Sequence, residues 1–295
     1  MYNSMLIGNR RIGEGEPCFV TAEIGINHNG DINLAKKLIS AAHLAGCEAV
    51  KFQKRTIDVV YTAEELARPH ESPFGDTYGD MKRGLEFSFR EYEAIDGYCR
   101  ELGIMWFASS WDEESVDFIE QFNPPCHKIA SAMLTDDKLL KHHRHYGRPL
   151  IVSTGMSTLQ EIDHAVKVLG KEDLLLMHST SSYPCSPTEL NLAAIGELRR
   201  RYGVPIGYSG HEVGLQTTVA AVILGACGVE RHITLDRATW GSDHPASVEP
   251  QGFLRLVRDI RTVESAVGDG VKRVYASEIP KLAKLRRVHS LAQQA

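Results

Sequence analysis

The chain has 295 residues, 43% of them hydrophobic and 24% charged, with a formal net charge of −5. This is the composition of a globular protein with a sizeable core, which excludes collagen-like, coiled-coil and disordered classes. The acidic balance offers no basic field for a nucleic acid or an anionic membrane, and no apolar run reaches the ~20 residues that span a bilayer.

The N-terminus, MYNSMLIGNRRIGEG, lacks the charged-then-apolar layout of a secretory signal. Residues 5–16 read as a short hairpin plugging a barrel, with Gly13-Glu14-Gly15 at a turn. Strands are predicted at 19–25 (FVTAEIG), 49–53 (AVKFQ), 105–110 (MWFASS) and 126–131 (CHKIAS). Four more follow at 150–155 (LIVSTG), 174–179 (LLLMHS), 205–210 (PIGYSG) and 229–234 (VERHIT). Such near-continuous apolar runs suit parallel strands covered on both faces.

Amphipathic stretches lie between them. Residues 31–45 place Leu34, Leu38, Ala41, Ala42 and Ala45 on one side of a helix. Asp112-Glu113-Glu114 opens a second helix with acidic residues suited to its N-terminus, and Thr158 opens a third with Glu161 as capping-box partner. Residues 58–86 form a long polar connection, a candidate lid or site loop. The six cysteines are scattered without a C-x-x-C pair, as suits reduced, buried thiols in a cytoplasmic enzyme.

Eight strand–helix units, several starting 21 to 31 residues apart, predict an α/β protein with a (β/α)8 TIM barrel. A doubly wound sheet is the alternative. The expected organisation is a hairpin plug over 1–18, a barrel over 19–268 and a linker-like tail over 269–295.

The strand ends carry chemistry. Glu23 ends the first; Lys51 and Gln53 end the second, and Ser109 and Ser110 the third. Lys128 and Ser131, Ser153-Thr154-Gly155, His178-Ser179-Thr180, Ser209-Gly210-His211 and His232 end the other five. In a closed barrel these ends converge on one mouth. A lysine in an apolar strand requires a counter-charge, which a nearby acid can supply. Two lysines facing serines and glycines read as an anion site for phosphate or carboxylate, with a Schiff base as the rival use. His211 and His232, on neighbouring strand ends, form a candidate metal pair or a pair of hydrogen-bonding residues. His142, His143 and His145 read as solvated on a polar helix; His28 and Asn29 belong to a turn closed by Gly30, or to the site.

Taken together, TAEIGINHNGDINLAKKLISAAHLAGCEAVKFQKR, KIAS, STGMS, GYSGHE and ERHITLDR resemble, in order, the N-acetylneuraminate (sialic acid) synthase family. The resemblance implies a (β/α)8 enzyme that condenses phosphoenolpyruvate with a sugar aldehyde to a 2-keto-3-deoxy sugar acid, releasing phosphate. It implies that Lys51, Lys128, Ser131, Ser153 and Ser209 hold phosphoenolpyruvate, supported by Ser109. It further implies a divalent metal on His211 and His232, Mn²⁺ ahead of Mg²⁺ or Co²⁺. Gln53, Tyr183 and Asp243 match sugar-facing positions, and Glu23 matches an acid beside the reacting carbons. A homodimer without domain swapping is the implied assembly.

Three departures stand out. Met133 occupies the position where the family commonly has a catalytic glutamate, and Asp136 and Asp137 are expected to point away. Ser181 replaces a frequent asparagine in the substrate site. The final residues resemble only the start of the linker to the antifreeze-like domain of typical members, so an open acceptor site and an acceptor other than N-acetylmannosamine are expected. The alternatives are an impaired or non-catalytic barrel that binds a sugar or phosphate ligand, and a lysine Schiff-base aldolase.

Overall fold

In the computed structural model, which describes residues 4–288, eight parallel strands close into a barrel. Residues 1–3 of the expected plug and 289–295 of the expected tail lie outside the described residues. An antiparallel hairpin, β1 (Met5–Ile7) and β2 (Arg10–Ile12), comes first. Barrel strands β3 (Phe19–Gly25) and β4 (Ala49–Lys54) follow. A second small hairpin, β5 (Pro69–Ser72) and β6 (Gly75–Thr77), stands outside the barrel. The remaining barrel strands are β7 (Met105–Ser110), β8 (His127–Ile129), β9 (Leu150–Ser153), β10 (Leu174–Ser179), β11 (Ile206–Gly210) and β12 (Gly228–His232). They neighbour one another in chain order and β12 closes on β3, so the fold is the (β/α)8 barrel and not the doubly wound sheet. The predicted strand over 126–131 is shorter because Ser131 begins a 3₁₀ turn, Ser131–Met133.

Alternation along the strands sorts side chains into two cores. Val20, Ile24, Val50, Phe52, Trp106, Val152 and Leu176 pack outward under the helices. Phe19, Ala49, Phe107, Cys126, Ile151, Leu175 and Met177 pack together with Met5, Ile7 and Ile12 of the first hairpin. The hairpin therefore plugs the N-terminal end of the lumen, and burying Ile7 and Ile12 contributes about 1.5–3 kcal/mol each. Its turn is Gly8-Asn9, with Gly8 at φ 57°; Gly13-Glu14-Gly15 turns the chain from β2 toward β3 instead.

The helix Ile32–Ala45 begins at Asp31, whose carboxylate accepts from the Asn33 N–H, and ends at Gly46 in the left-handed conformation. Its buried stripe is Ala35, Leu38, Ile39, Ala42 and Ala45, rotated slightly from the predicted face. A helix opens at Asp112 as expected, with Asp112 accepting from the Ser115 N–H, and the Thr158–Glu161 capping box forms as read from the sequence. All six cysteines are free and buried. Among the described residues no helix is long and apolar enough to cross a membrane.

Two expectations are corrected. Residues 58–86 are not an open loop: they fold into short helices, the β5–β6 hairpin and the helix Tyr78–Leu85. Capping boxes at Thr62–Glu65 and Thr77–Asp80 start the local helices, and Phe74 packs edge-on to Trp240. His143 is buried, not solvated. Its Nδ1 lies 3.2 Å from His127 Nδ1, because the helix Asp137–His145 turns that face toward β8.

Candidate active site

Toward the C-terminal end of the lumen the barrel residues change from apolar to polar. Strand register sets Glu23 beside Lys51, Gln53 beside Ser109, Ser109 beside Lys128, and Ser209 beside Glu230. They surround a cavity of about 220 Å³, at the end of the fold where barrel enzymes carry their sites.

Lys51 and Lys128 are only 4% and 1% exposed, yet each has a counter-charge within the protein. Lys51 Nζ lies 2.9 Å from Glu23 Oε2 and 3.5 Å from Glu230 Oε1, and donates to Ser109 Oγ at 2.9 Å. Lys128 Nζ donates to Glu230 Oε2 at 3.1 Å and to Ser153 Oγ at 2.7 Å. Ser209 Oγ donates to Glu230 Oε1 at 3.2 Å. The counter-charge expected from a bound anion is thus supplied first by Glu23 and Glu230. Glu230, the hub of this network, was not singled out from the sequence. The available signal was a lone acid two residues before His232, on the same side of β12.

The two carboxyls are driven apart in acidity. Burial pushes Glu23 up to about 7; Lys51 offsets this only in part and the charge of Glu230 adds to it. Burial alone would also raise Glu230, but the ammonium groups of Lys128 and Lys51 outweigh it and hold the carboxyl near about 2. The pair therefore combines a permanent anion with a group able to exchange a proton near neutrality. Burial disfavours both ammonium groups. The flanking carboxylates overcome it at Lys51, whose pKa is raised, whereas that of Lys128 is lowered.

Hydroxyls gather at Gly155. Its N–H donates to Ser131 Oγ at 3.0 Å. A Cβ here would meet Ser181 Oγ at 2.3 Å, Ser131 Oγ at 2.9 Å and Ser179 Oγ at 3.0 Å, so glycine keeps open the space on which three hydroxyls converge. Ser179 Oγ is buried without a partner. Hydroxyl donors combined with two ammonium groups suit a phosphate or carboxylate.

His211 and His232 also line the cavity, their ring centroids 5.5 Å apart. His211 donates from Nδ1 to the Thr180 carbonyl at 2.7 Å, which leaves the lone pair on Nε2. His232 Nδ1 is buried without a hydrogen bond, 3.6 Å from Asp243 Oδ2. Burial, reinforced by His232, lowers His211 to about 4, and burial also lowers His232. Two neutral imidazoles, one in a fixed tautomer and the other with an unmatched nitrogen, fit a borderline divalent cation. Among the described residues no group of three or more His, Cys, Asp or Glu side chains could hold a metal, so a cation here needs water and substrate oxygens to complete its shell.

Tyr183, 46% exposed, lies over His211 with centroids 4.1 Å apart. Asp243 stands beside His232 but outside the cavity lining. Met133 also lies outside the lining and packs partly against the outer core. Asp136 caps its own helix, and Asp137 bonds His164 on the surface.

The NeuB family model matches residues 38–272 of this chain. The chain belongs to the NeuB family. The mouse N-acetylneuraminate-9-phosphate synthase is 41% identical over 286 residues, spanning 95% of this chain and 79% of that protein. The N,N'-diacetyllegionaminic acid synthase of Legionella pneumophila is 36% identical over 295 residues, spanning 97% of this chain and 83% of that one. Among solved structures, N-acetylneuraminic acid (sialic acid) synthetase from Leptospira borgpetersenii superposes with a TM-score of 0.85 at 30% identity. That match covers 98% of this chain and 99% of the other. A truncated 3-deoxy-D-arabino-heptulosonate 7-phosphate synthase from Thermotoga maritima, at 14% identity and a TM-score of 0.70, shares the fold. This NeuB chain is accordingly an N-acetylneuraminate synthase-like enzyme.

The NeuB barrel brings Glu23, Lys51, Gln53, Ser109, Lys128, Ser131, Ser153, Ser181, Tyr183, Ser209, His211 and His232 to one cavity, while Asp243 stands outside its lining. Besides Glu230, sequence reasoning missed Trp111, which lines the same wall. An aromatic directly after the Ser109-Ser110 strand end was its signal.

Proposed function

We propose that the protein condenses phosphoenolpyruvate with a sugar aldehyde, with a divalent metal assisting, to give a 2-keto-3-deoxy sugar acid and phosphate by C–O cleavage. The observation that carries this reading is a deep cradle of two lysines and several hydroxyls beside two neutral imidazoles. The named activities of the relatives support the same class.

In this reading the phosphate and carboxylate of the donor are held by Lys51, Lys128 and the hydroxyls of Ser109, Ser131, Ser153, Ser181 and Ser209. Gln53 and Tyr183 face the acceptor, with Asp243 contributing beside His232. His211 and His232 would hold the cation, Mn²⁺ ahead of Mg²⁺ or Co²⁺, which when bound polarises an aldehyde oxygen. The donor C3 attacks the aldehyde carbon, and positive character develops at the donor C2. Glu23 orients the water that adds at C2 and exchanges its proton, a task matched to a carboxyl titrating near about 7. The tetrahedral product expels phosphate, whose growing charge Lys51 and Lys128 stabilise. Holding both reactants in one cavity supplies the orientation that a bimolecular addition lacks.

The test is turnover of bridging-¹⁸O phosphoenolpyruvate with Mn²⁺ and an aldose panel that includes N-acetylmannosamine. Label is expected in the released phosphate; no phosphate release with any aldose refutes the reading. The Schiff-base alternative predicts instead borohydride trapping of pyruvate on Lys51 or Lys128.

A further inference from the structure

Arg55 lies just beyond β4 and is 7% exposed, although it belongs neither to the lysine–carboxylate network nor to the hydroxyl cradle. Its guanidinium carbon sits 4.0 Å from the centre of the Trp111 ring, in cation–π contact. On another side, Nη1 is 3.8 Å from Glu86 Oε1, while the Arg55 backbone N–H donates to Glu86 Oε2 at 3.2 Å. The shortest contact of the guanidinium, however, points toward the cavity: Nη2 donates to Gln53 Oε1 at 2.5 Å. From the other end of the same amide, Gln53 Nε2 donates to Glu23 Oε1 at 2.8 Å.

A guanidinium only donates hydrogen bonds, so the amide atom that meets Arg55 is the oxygen, and the –NH₂ is left toward Glu23. Neutralising Glu86 does not account for Arg55, because Lys54 already meets Glu86 at 3.0 Å. Nor is the guanidinium free to swing, because Trp111 covers its face.

We propose that Arg55, stacked on Trp111, is a positioning residue that locks the Gln53 amide with its –NH₂ toward Glu23 and the acceptor. One hydrogen of that group serves Glu23, and the other is left for an oxygen of the sugar. The inference deepens the synthase reading and rests on it for its kinetic consequence.

The test compares R55M, R55K, Q53M and the double variant R55M/Q53M in phosphate release from phosphoenolpyruvate and N-acetylmannosamine, or the best acceptor of the aldose panel. R55M is expected to lower kcat/KM for the aldose about tenfold, with the KM for phosphoenolpyruvate within about twofold of wild type. R55K, which still donates to the amide oxygen, recovers most of the loss, and R55M adds nothing in the Q53M background. Unchanged aldose kinetics in R55M, an equal effect on phosphoenolpyruvate, or full additivity with Q53M overturns the proposal. Should R55M fail to fold, R55L, which likewise has no donor, carries the same expectations. ¹⁵N-edited NMR of the Gln53 side-chain amide gives a readout independent of turnover. Two distinct protons, the one facing Glu23 protected from exchange, are expected in wild type and R55K, and loss of that distinction in R55M; no difference refutes the lock. Wild type without phosphate release overturns the synthase reading, and the NMR comparison still decides the positioning role.

Discussion

Replacing Glu230 by glutamine removes one charge from a buried cluster of two carboxylates and two ammonium groups. Glu230 lies 3.1 Å from Lys128 Nζ and 3.5 Å from Lys51 Nζ. At an effective dielectric constant near 20, each such contact represents roughly 5 kcal/mol of attraction, much of it offset by desolvation. Breaking a buried pair from one side typically destabilises by about 3–5 kcal/mol. Glutamine keeps the shape and one acceptor oxygen, so E230Q should fall at the low end, about 3 kcal/mol. For a domain of this size that lowers the thermal midpoint by about 6–12 °C, measurable by circular dichroism. The same reasoning predicts that inorganic phosphate raises the midpoint of E230Q more than that of wild type. In the variant the anion restores a missing charge; in wild type it meets lysines already paired. A midpoint within a degree or so of wild type, or an identical response to phosphate, would refute the assignment of Glu230 as the hub.

Other predictions follow from single features of the site and its surroundings. Gly155→Ala should fold normally, because rotating serine hydroxyls can yield to the new Cβ, but should raise the KM for phosphoenolpyruvate about tenfold or more; steady-state kinetics decide this. Chelation should abolish phosphate release and Mn²⁺ should restore it, while His211→Ala should weaken Mn²⁺ binding by at least ~100-fold in titration calorimetry. Activity that persists in chelator removes the metal from the scheme. Burial holds both His127 and His143 below the ordinary histidine value, His143 the more strongly. The unfolded chain therefore binds protons first as pH drops below about 6.5, and stability is lost toward acid while it is complete above that value. His143→Leu should flatten this acid limb by up to about 1.4 kcal/mol per pH unit, read from urea unfolding across the pH range.

The barrel was legible because its signals are local: apolar runs, the acidic opening at Asp112, the capping box at Thr158 and the count of eight units. The site was legible because polar residues in such strands have few places to go except the mouth. Glu230 escaped notice because it lies deeper than the strand end, so that its meaning depends on Lys51 and Lys128 arriving from β4 and β8. Such encounters are set by register between distant strands. Residues 58–86 were misread because capping boxes and tight turns share the Gly, Asp and Thr composition of a loop. His143 looked solvated among charged neighbours because a helix hides only one face, and which face is decided by the strand it lies on.

The hairpin of β1 and β2 has a kinetic meaning. With Ile7 and Ile12 packed into one end, the lumen is open, among the described residues, at the other end, through which the proposed reactants and products would pass. The lysines lie deep, whereas Tyr183 is 46% exposed. In the proposed condensation an acceptor resting at the mouth would block a donor from reaching the lysines, and phosphate at the bottom could not pass a sugar acid above it. Single-ended access then predicts a compulsory order: donor in before acceptor, sugar acid out before phosphate. In such a sequence phosphate competes with phosphoenolpyruvate and not with the aldose.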